Sequence, residues 1–145
     1  MKRYYFIKEI INDILIKNNG LEHSANVANM ACLLAKLKSL DLELAAIIGI
    51  CHDLATYKFK SSFDHANRSS MLAREILADS NLFNHDEIIL ITTAIKNHSF
   101  KDRIDDEAFQ SFPYMKQYGL SLRNMVLRKL HNERSRLSRE RFGFL

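Results

Sequence analysis

The sequence predicts an all-α fold, a single-domain bundle of six or seven helices. Its apolar residues recur with a helical period along almost the whole chain. The 145 residues include only four Gly and one Pro, which leaves little material for the turns of a many-stranded β protein. A chain of this length is typical of one domain with its own core. The apolar share of 47% excludes a disordered chain.

The first three helices are predicted from apolar stripes and from the residues at their ends. The stripe of the first helix consists of Phe6, Ile7, Ile10, Ile11, Ile14 and Leu15. This helix is expected to stop at Asn18-Asn19-Gly20. The second runs from about Glu22 to Leu40, and its inward residues are Val27, Met30, Ala31, Leu34 and Leu37. Asp41 is predicted as the N-cap of a third helix that continues to Cys51.

The remaining helices follow a short connection expected over Tyr57 to Phe63. The fourth helix begins near Asp64 or His65, and its apolar residues are Met71, Leu72, Ile76 and Leu77. Asn84-x-x-Glu87 resembles a capping box and predicts a fifth helix to about Asn97. That helix is apolar nearly all round, which predicts that it is buried. A last helix is expected over about residues 121–141, with an apolar side of Leu122, Met125, Val126 and Leu130.

The charge distribution and the cysteines indicate the cellular location expected for the chain. The net charge is +4, and residues 120–145 alone carry +5, so the rest of the chain sums to −1. Cys32 and Cys51 lie in apolar stretches without a metal-ligand spacing and are expected to be small buried hydrophobic residues. No signal-peptide profile is present, and no run reaches the ~20 apolar residues of a membrane span. A reducing, cytoplasmic location without membrane attachment is therefore expected.

The most informative polar residues interrupt an apolar helix. His52-Asp53 follows the apolar run 45–51, where an ionised carboxylate has to be paired, hydrogen-bonded or bound to a metal. Adjacent helical residues point about 100° apart, so His52 and Asp53 reach one centre most easily at a helix end. Gly49 predicts a close approach of another helix beside this site. Taken alone, the dipeptide is explained equally well by a functional site and by a helix that merely ends at Asp53 after a satisfied core histidine at His52.

Three further histidines stand at the edges of predicted helices: His23, His65 and His98. If those helix ends meet, four imidazoles and one carboxylate converge. Such donors without a thiolate suit Fe, Mn, Zn, Ni or Co, and Mg also remains open as one of the one or two divalent ions expected here. A bound ion can polarise a phosphoryl oxygen, and two ions about 3.5–4 Å apart can hold both the attacking and the leaving oxygen.

This ordered set resembles the HD-domain metal-dependent phosphohydrolase superfamily, with His65 in Asp64-His65-Ala66-Asn67-Arg68-Ser69-Ser70 and His98 in Lys96-Asn97-His98-Ser99. It is similar to small bacterial members with the pattern H…HD…H…H…D, over about residues 21–106. The resemblance implies that His23, His52 and Asp53 bind a first ion, and that Asp53 bridges to a second held by His65 and His98. It also implies hydrolysis of a phosphate ester or anhydride, often of a nucleotide, by metal-activated water, with His52 and Asp53 as catalytic residues.

One departure from the family pattern concerns its final Asp. This sequence has no Asp after Asp106. Asp105 or Asp106 substitutes for the family residue, a Gln or Asn supplies a weaker neutral ligand, or the first metal site has decayed. The alternative to an active hydrolase is therefore a degenerate HD domain that binds metal or nucleotide as a regulatory module.

Basic residues supply the remaining candidates. Lys58 and Arg68 flank the expected centre and could hold the phosphates of a small substrate, Arg68 through bidentate hydrogen bonds; loop charges that are merely solvated are the alternative. The arginines of residues 128–141 alternate with Glu133 and Glu140, a pattern typical of a solvated helix face. The alternative to a solvated face is that this C-terminal helix binds nucleic acid. His85 is expected at the surface.

Overall fold

The structure, a computed structural model, describes residues 1–98, which form six α-helices and no strand. The helices are α1 (Lys2–Lys17), α2 (Leu21–Leu37), α3 (Leu42–Cys51), α4 (Leu54–Phe59), α5 (His65–Ser80) and α6 (His85–Asn97). The prediction of an all-α bundle is confirmed. Asp105, Asp106 and the expected helix over 121–141 lie outside the described residues. Within residues 1–98, no helix combines the length and the hydropathy that crossing a bilayer requires.

α3 is the central helix, and all of its residues from Leu44 to Cys51 are buried. It begins as predicted, because the Asp41 side chain accepts a hydrogen bond from the Leu44 amide at 2.9 Å. Its contact with α2 is the most extensive between any two helices. At their crossing, a Cβ built on Gly49 would lie 2.6 Å from the Cα of Ala28, so the close approach predicted from Gly49 is confirmed.

Arg3 fastens the start of α1 to α3 and α6. Its Nε donates to Oε2 of Glu43 at 2.8 Å, and its Nη1 donates to Oε1 of Glu87 at 3.0 Å. The backbone amide of Arg3 donates to Oε1 of Glu43 at 2.9 Å. Because α1 has no capping side chain of its own, Glu43 satisfies part of its free N-terminal amides from another helix. The three helices therefore start at the same end of the bundle.

The core faces of α1 and α2 differ in part from the predicted stripes. In α1 the core residues are Tyr4, Ile7, Ile11 and Leu15. Phe6 and Ile10 are about half exposed, so placing them in the stripe was wrong: they lie on the flank of the helix, about 100° from Ile7 and Ile11. Leu37 is exposed as well, because α2 ends there and does not continue to Leu40.

The later helices bring three further corrections. The connection expected over Tyr57 to Phe63 begins within α4, a short helix that ends where Lys60 adopts a left-handed φ of 52°. Met71, expected on the apolar side of α5, is exposed. The capping box of Asn84 and Glu87 is confirmed, but only the second half of α6 is buried, and residues 88–90 are partly exposed.

The two cysteines differ in burial. Cys51 is fully buried at the end of α3, as predicted, and burial raises the pKa of its thiol to about 12. Cys32 is only partly buried, and its thiol donates to the carbonyl of Leu42 at 3.4 Å. Both are free thiols.

Candidate metal centre

Five side chains converge at the end of the bundle opposite the Arg3 contacts, and each stands at a helix end. His52 and His98 are the C-cap residues of α3 and α6, and Asp53 precedes α4. His65 is the first residue of α5, and His23 lies in the first turn of α2. The convergence predicted from the sequence is therefore present in the fold.

Asp53 lies between two pairs of imidazoles, and each of its carboxylate oxygens faces one pair. Oδ2 lies 3.0 Å from Nε2 of His52 and 3.5 Å from Nε2 of His23. Oδ1 lies 3.2 Å from Nε2 of His98 and 3.5 Å from Nε2 of His65. In each of the two sets, the candidate ligand atoms lie within 4.8 Å of one another. Asp53 is thus the member that the two sets share.

Backbone carbonyls orient three of the four imidazoles. Nδ1 of His52 lies 2.7 Å from the Gly49 carbonyl, and Nδ1 of His98 lies 2.6 Å from the carbonyl three residues before it. Nδ1 of His65 lies 3.1 Å from the Ser62 carbonyl. Since a carbonyl only accepts hydrogen bonds, each Nδ1 carries the ring proton and donates it. Nε2 of the neutral ring then has a free lone pair. Histidines that bind metal through Nε2 are held in this way.

The distances between the donor atoms match those between ligands around a bound cation. Nε2 of His23 and Nε2 of His52 lie 3.2 Å apart, and the neighbouring donors lie 3.0–3.5 Å from the Asp53 oxygens. Bonds of about 2.1 Å to one ion place neighbouring ligands about 3.0 Å apart in an octahedron and about 3.4 Å apart in a tetrahedron. Lone pairs this close repel one another unless a cation lies among them. The five residues therefore fit one or two divalent ions.

The centre is recessed but open on one side. The exposed fraction of the side chain is 11% for His52 and 45% for His23, with the other three members between them. Burial alone would raise the pKa of Asp53, but the imidazoles of His23, His52 and His98 that surround the carboxylate outweigh burial and hold that pKa well below its ordinary value. Asp53 is therefore a carboxylate, as a metal ligand has to be.

The two predicted phosphate-binding residues lie against an aromatic ring. The Arg68 guanidinium carbon stands 4.2 Å from the centre of the Phe59 ring, and Nζ of Lys58 stands 5.7 Å from the same centre. Nη1 of Arg68 donates to the Phe63 carbonyl at 3.4 Å. Within residues 1–98, neither Lys58 nor Arg68 forms an ion pair with a carboxylate. His85 is exposed, as predicted.

Two further residues support the centre, of which Ser69 was not found from the sequence. Ser69 is fully buried, and its Oγ accepts a hydrogen bond from the Ala55 amide at 2.9 Å, which joins α4 to α5 directly after Asp53. Tyr57 packs on the start of α2, where a Cβ built on Gly20 would lie 2.5 Å from its ring. The signal for Ser69 was its place one turn after His65 on the buried side of α5.

Comparison with known protein families gives one match. The family model described as HD domain matches residues 20–137, which include all five converging residues. Comparisons with curated proteins and with solved structures give no significant match.

Proposed function

This chain belongs to the HD domain family, and on that premise we propose that it is a metal-dependent phosphohydrolase. Its reaction is the cleavage of a phosphate ester or anhydride of a nucleotide by activated water. The observation that carries this proposal is the division of the Asp53 carboxylate between two histidine pairs. A carboxylate shared in this way is suited to bridge two ions, an arrangement typical of phosphoryl-transfer sites.

The chemistry follows from what the residues hold in place. Divalent ions, when bound, polarise a phosphoryl oxygen and make water a nucleophile near neutral pH. Asp53 supplies one negative charge to both ligand sets. His52 and His98 present Nε2 in a fixed direction because their Nδ1 atoms are hydrogen-bonded to backbone carbonyls. These orientations exist before substrate arrives, so little reorganisation is needed during the reaction.

Substrate is expected to enter on the side of His23, which is the most exposed of the five residues. Lys58 and Arg68 are proposed to hold its phosphate groups, since their charges are not paired with carboxylates within the described part of the chain. A guanidinium that is already held against Phe59 loses little freedom when it binds a phosphate. A small phosphorylated molecule is therefore the proposed partner.

A second candidate function is a regulatory HD domain that binds metal or nucleotide without hydrolysis. It is favoured by one observation, the lack of any Asp after Asp106, where the family pattern closes with an Asp. A neutral ligand in that position would remove a negative charge from the first ligand set and weaken its metal binding. Nucleic-acid binding by the basic residues 121–141 remains a separate prediction.

Hydrolysis by the purified full chain tests the proposal. The chain is incubated with Mn, Fe, Co, Ni, Zn or Mg and with a panel of nucleotides, dinucleoside polyphosphates and p-nitrophenyl phosphate, and released phosphate or nucleotide is measured. Because even a change in the outer shell of a metal site reduces function about 10–100-fold, Asp53→Ala and His52→Ala should lose at least that much. The control, His85→Ala, removes an exposed histidine and should keep full activity.

The same assay separates the two candidate functions. Hydrolysis that survives Asp53→Ala would contradict the assigned centre. Stoichiometric metal in elemental analysis together with no hydrolysis across the panel would favour the regulatory domain.

A further inference from the structure

An exposed aromatic ring lies on the loop that leads into the metal centre. Phe63 is 79% exposed, more than any other large apolar side chain in residues 1–98. It lies two residues before His65, and the carbonyl of Ser62, the residue that precedes Phe63, accepts the hydrogen bond from Nδ1 of His65. The loop that carries Phe63 is therefore attached directly to an imidazole that faces Asp53.

This loop has a defined shape. It lies between Lys60 and Asp64, whose φ angles of 52° and 45° are left-handed and uncommon for residues other than glycine. The Phe63 amide donates to Oγ of Ser61 at 3.2 Å, and the Phe63 carbonyl accepts from Arg68. Both backbone groups of Phe63 are thus engaged, while its ring projects into solvent.

Arg68 connects the backbone of Phe63 to a second exposed ring. The side chain of a helical residue leans towards the N-terminus of its helix, so Arg68 reaches from the first turn of α5 back over the loop. One face of its guanidinium stacks on Phe59, which is 44% exposed, and one nitrogen bonds the Phe63 carbonyl. The remaining N–H groups are available to a phosphate, for which the guanidinium fork is the best-matched protein donor.

We propose that Phe59, Phe63 and Arg68 form a specificity-determining rim that selects nucleotides over phosphates without a base. Phe63 stacks on the base, and Arg68, positioned by Phe59, binds the phosphates that lead to the metal centre. The inference rests on the proposed function, because that centre defines where the reacting phosphorus lies. A stacking ring next to a preoriented cation complements both halves of a nucleotide, one flat and apolar, the other anionic.

Binding of two matched ligands tests the rim. The first is adenosine 5′-(β,γ-imido)triphosphate, and the second is imidodiphosphate, which has the same P–N–P group without the nucleoside. Titration calorimetry on the metal-loaded full chain gives a Kd for each. Phe63→Ala should weaken binding of the nucleotide analogue roughly 5- to 150-fold, the range that stacking on one base provides, and leave binding of imidodiphosphate unchanged.

Three variants complete the test. Phe63→Trp should restore nucleotide binding, since it restores a stacking surface. Arg68→Gln should weaken both ligands, because both carry the phosphates. Tyr5→Ala removes another exposed ring, from the first turn of α1, and should leave both Kd values as they are. Circular dichroism and thermal unfolding show that each variant is folded.

An unchanged Kd for the nucleotide analogue in Phe63→Ala would overturn the proposal, and so would an equal loss for both ligands. A change in oligomeric state on gel filtration with no change in affinity would mean that Phe63 contacts a second copy of the chain instead. If the wild type does not bind the nucleotide analogue, the rim proposal fails, while hydrolysis of p-nitrophenyl phosphate would still support the hydrolase. Binding that depends on Phe63 without any hydrolysis would leave the rim in place and reject catalysis.

Discussion

His52 and Asp53 are neighbours in the sequence, yet Nε2 of His52 lies only 3.0 Å from Oδ2 of Asp53. In a continuous helix their side chains would point about 100° apart. The backbone permits the contact because helical geometry persists through His52, with φ −57° and ψ −37°, and is broken at Asp53, with φ −114° and ψ 19°. A helix break inside the dipeptide therefore brings both side chains to one centre.

The sharing of Asp53 predicts different metal losses for two ligand variants. Asp53→Asn removes the charge common to both ligand sets and should lose both ions, whereas His65→Ala affects one set and should lose one. Elemental analysis of chain purified without chelator gives the metal content per chain. His85→Ala should match the wild type. Equal losses in Asp53→Asn and His65→Ala would show that Asp53 does not bridge two ions.

Gly49 is predicted to be intolerant of a side chain. In Gly49→Ala the new Cβ would lie 2.6 Å from the Cα of Ala28, and backbone cannot move aside without separating α2 from α3. Overpacking of this kind destabilises by about 1–3 kcal/mol, which urea unfolding measures. Metal affinity should fall too, because the Gly49 carbonyl orients His52.

Gly20→Ala is the matched comparison for Gly49→Ala. There the atoms nearest to the new Cβ belong to the ring of Tyr57, a side chain that can shift, so the loss of stability should be smaller. A larger loss in Gly20→Ala than in Gly49→Ala would contradict the packing argument.

Ser69 is predicted to affect the metal centre through the position of α4. Ser69→Ala leaves the buried Ala55 amide without a partner, which lowers the free energy of unfolding by about 1–3 kcal/mol. Since Ala55 follows Asp53 by two residues, metal affinity should fall as well. Ser70→Ala is the control: Ser70 is also buried on α5, but it bonds the Thr92 carbonyl on α6, so it should lower stability alone. The same metal affinity in both variants would argue against a positioning role for Ser69.

The hydrogen bonds to the Glu43 carboxylate predict that the fold loses stability in acid. Burial alone would raise its pKa, but hydrogen bonds from the Arg3 side chain, the Met1 amino group and the amides of Tyr4 and Arg3 lower that pKa from 4.5 to about 2. Because the folded pKa lies below the unfolded one, Glu43 stabilises the fold above about pH 4.5, and this contribution is lost as the pH falls towards 2.

Urea unfolding between pH 7 and pH 2 measures this contribution. Glu43→Gln should be less stable than the wild type at pH 7, and the difference should shrink as the pH falls. Glu9→Gln changes an exposed carboxylate on α1 and should follow the wild type throughout. A difference between Glu43→Gln and the wild type that stays constant with pH would contradict the role of the ionised carboxylate.

Two helix starts, those of α3 and α6, could be predicted because their signals are local. The Asp41 cap and the Asn84–Glu87 capping box are hydrogen bonds between residues three apart, and both are present in the fold. Which apolar residues on the side of a helix face the core could be predicted less well. Phe6 and Ile10 are as apolar as Ile7 and Ile11, and which of them meets the core depends on how α1 is rotated against α3.

The candidate site also has one part that the sequence predicts and another that only the fold decides. Which residues take part could be predicted from residue type, because histidines and a carboxylate at the ends of apolar helices have to be satisfied there. That each oxygen of Asp53 faces its own histidine pair, and that Phe63 is left exposed, was decided by tertiary packing alone. The reason is physical: capping is settled within one turn of chain, whereas the meeting of His23, His52 and His98 requires three helices to pack. The mutual positions of these helices depend on contacts between residues far apart in the sequence.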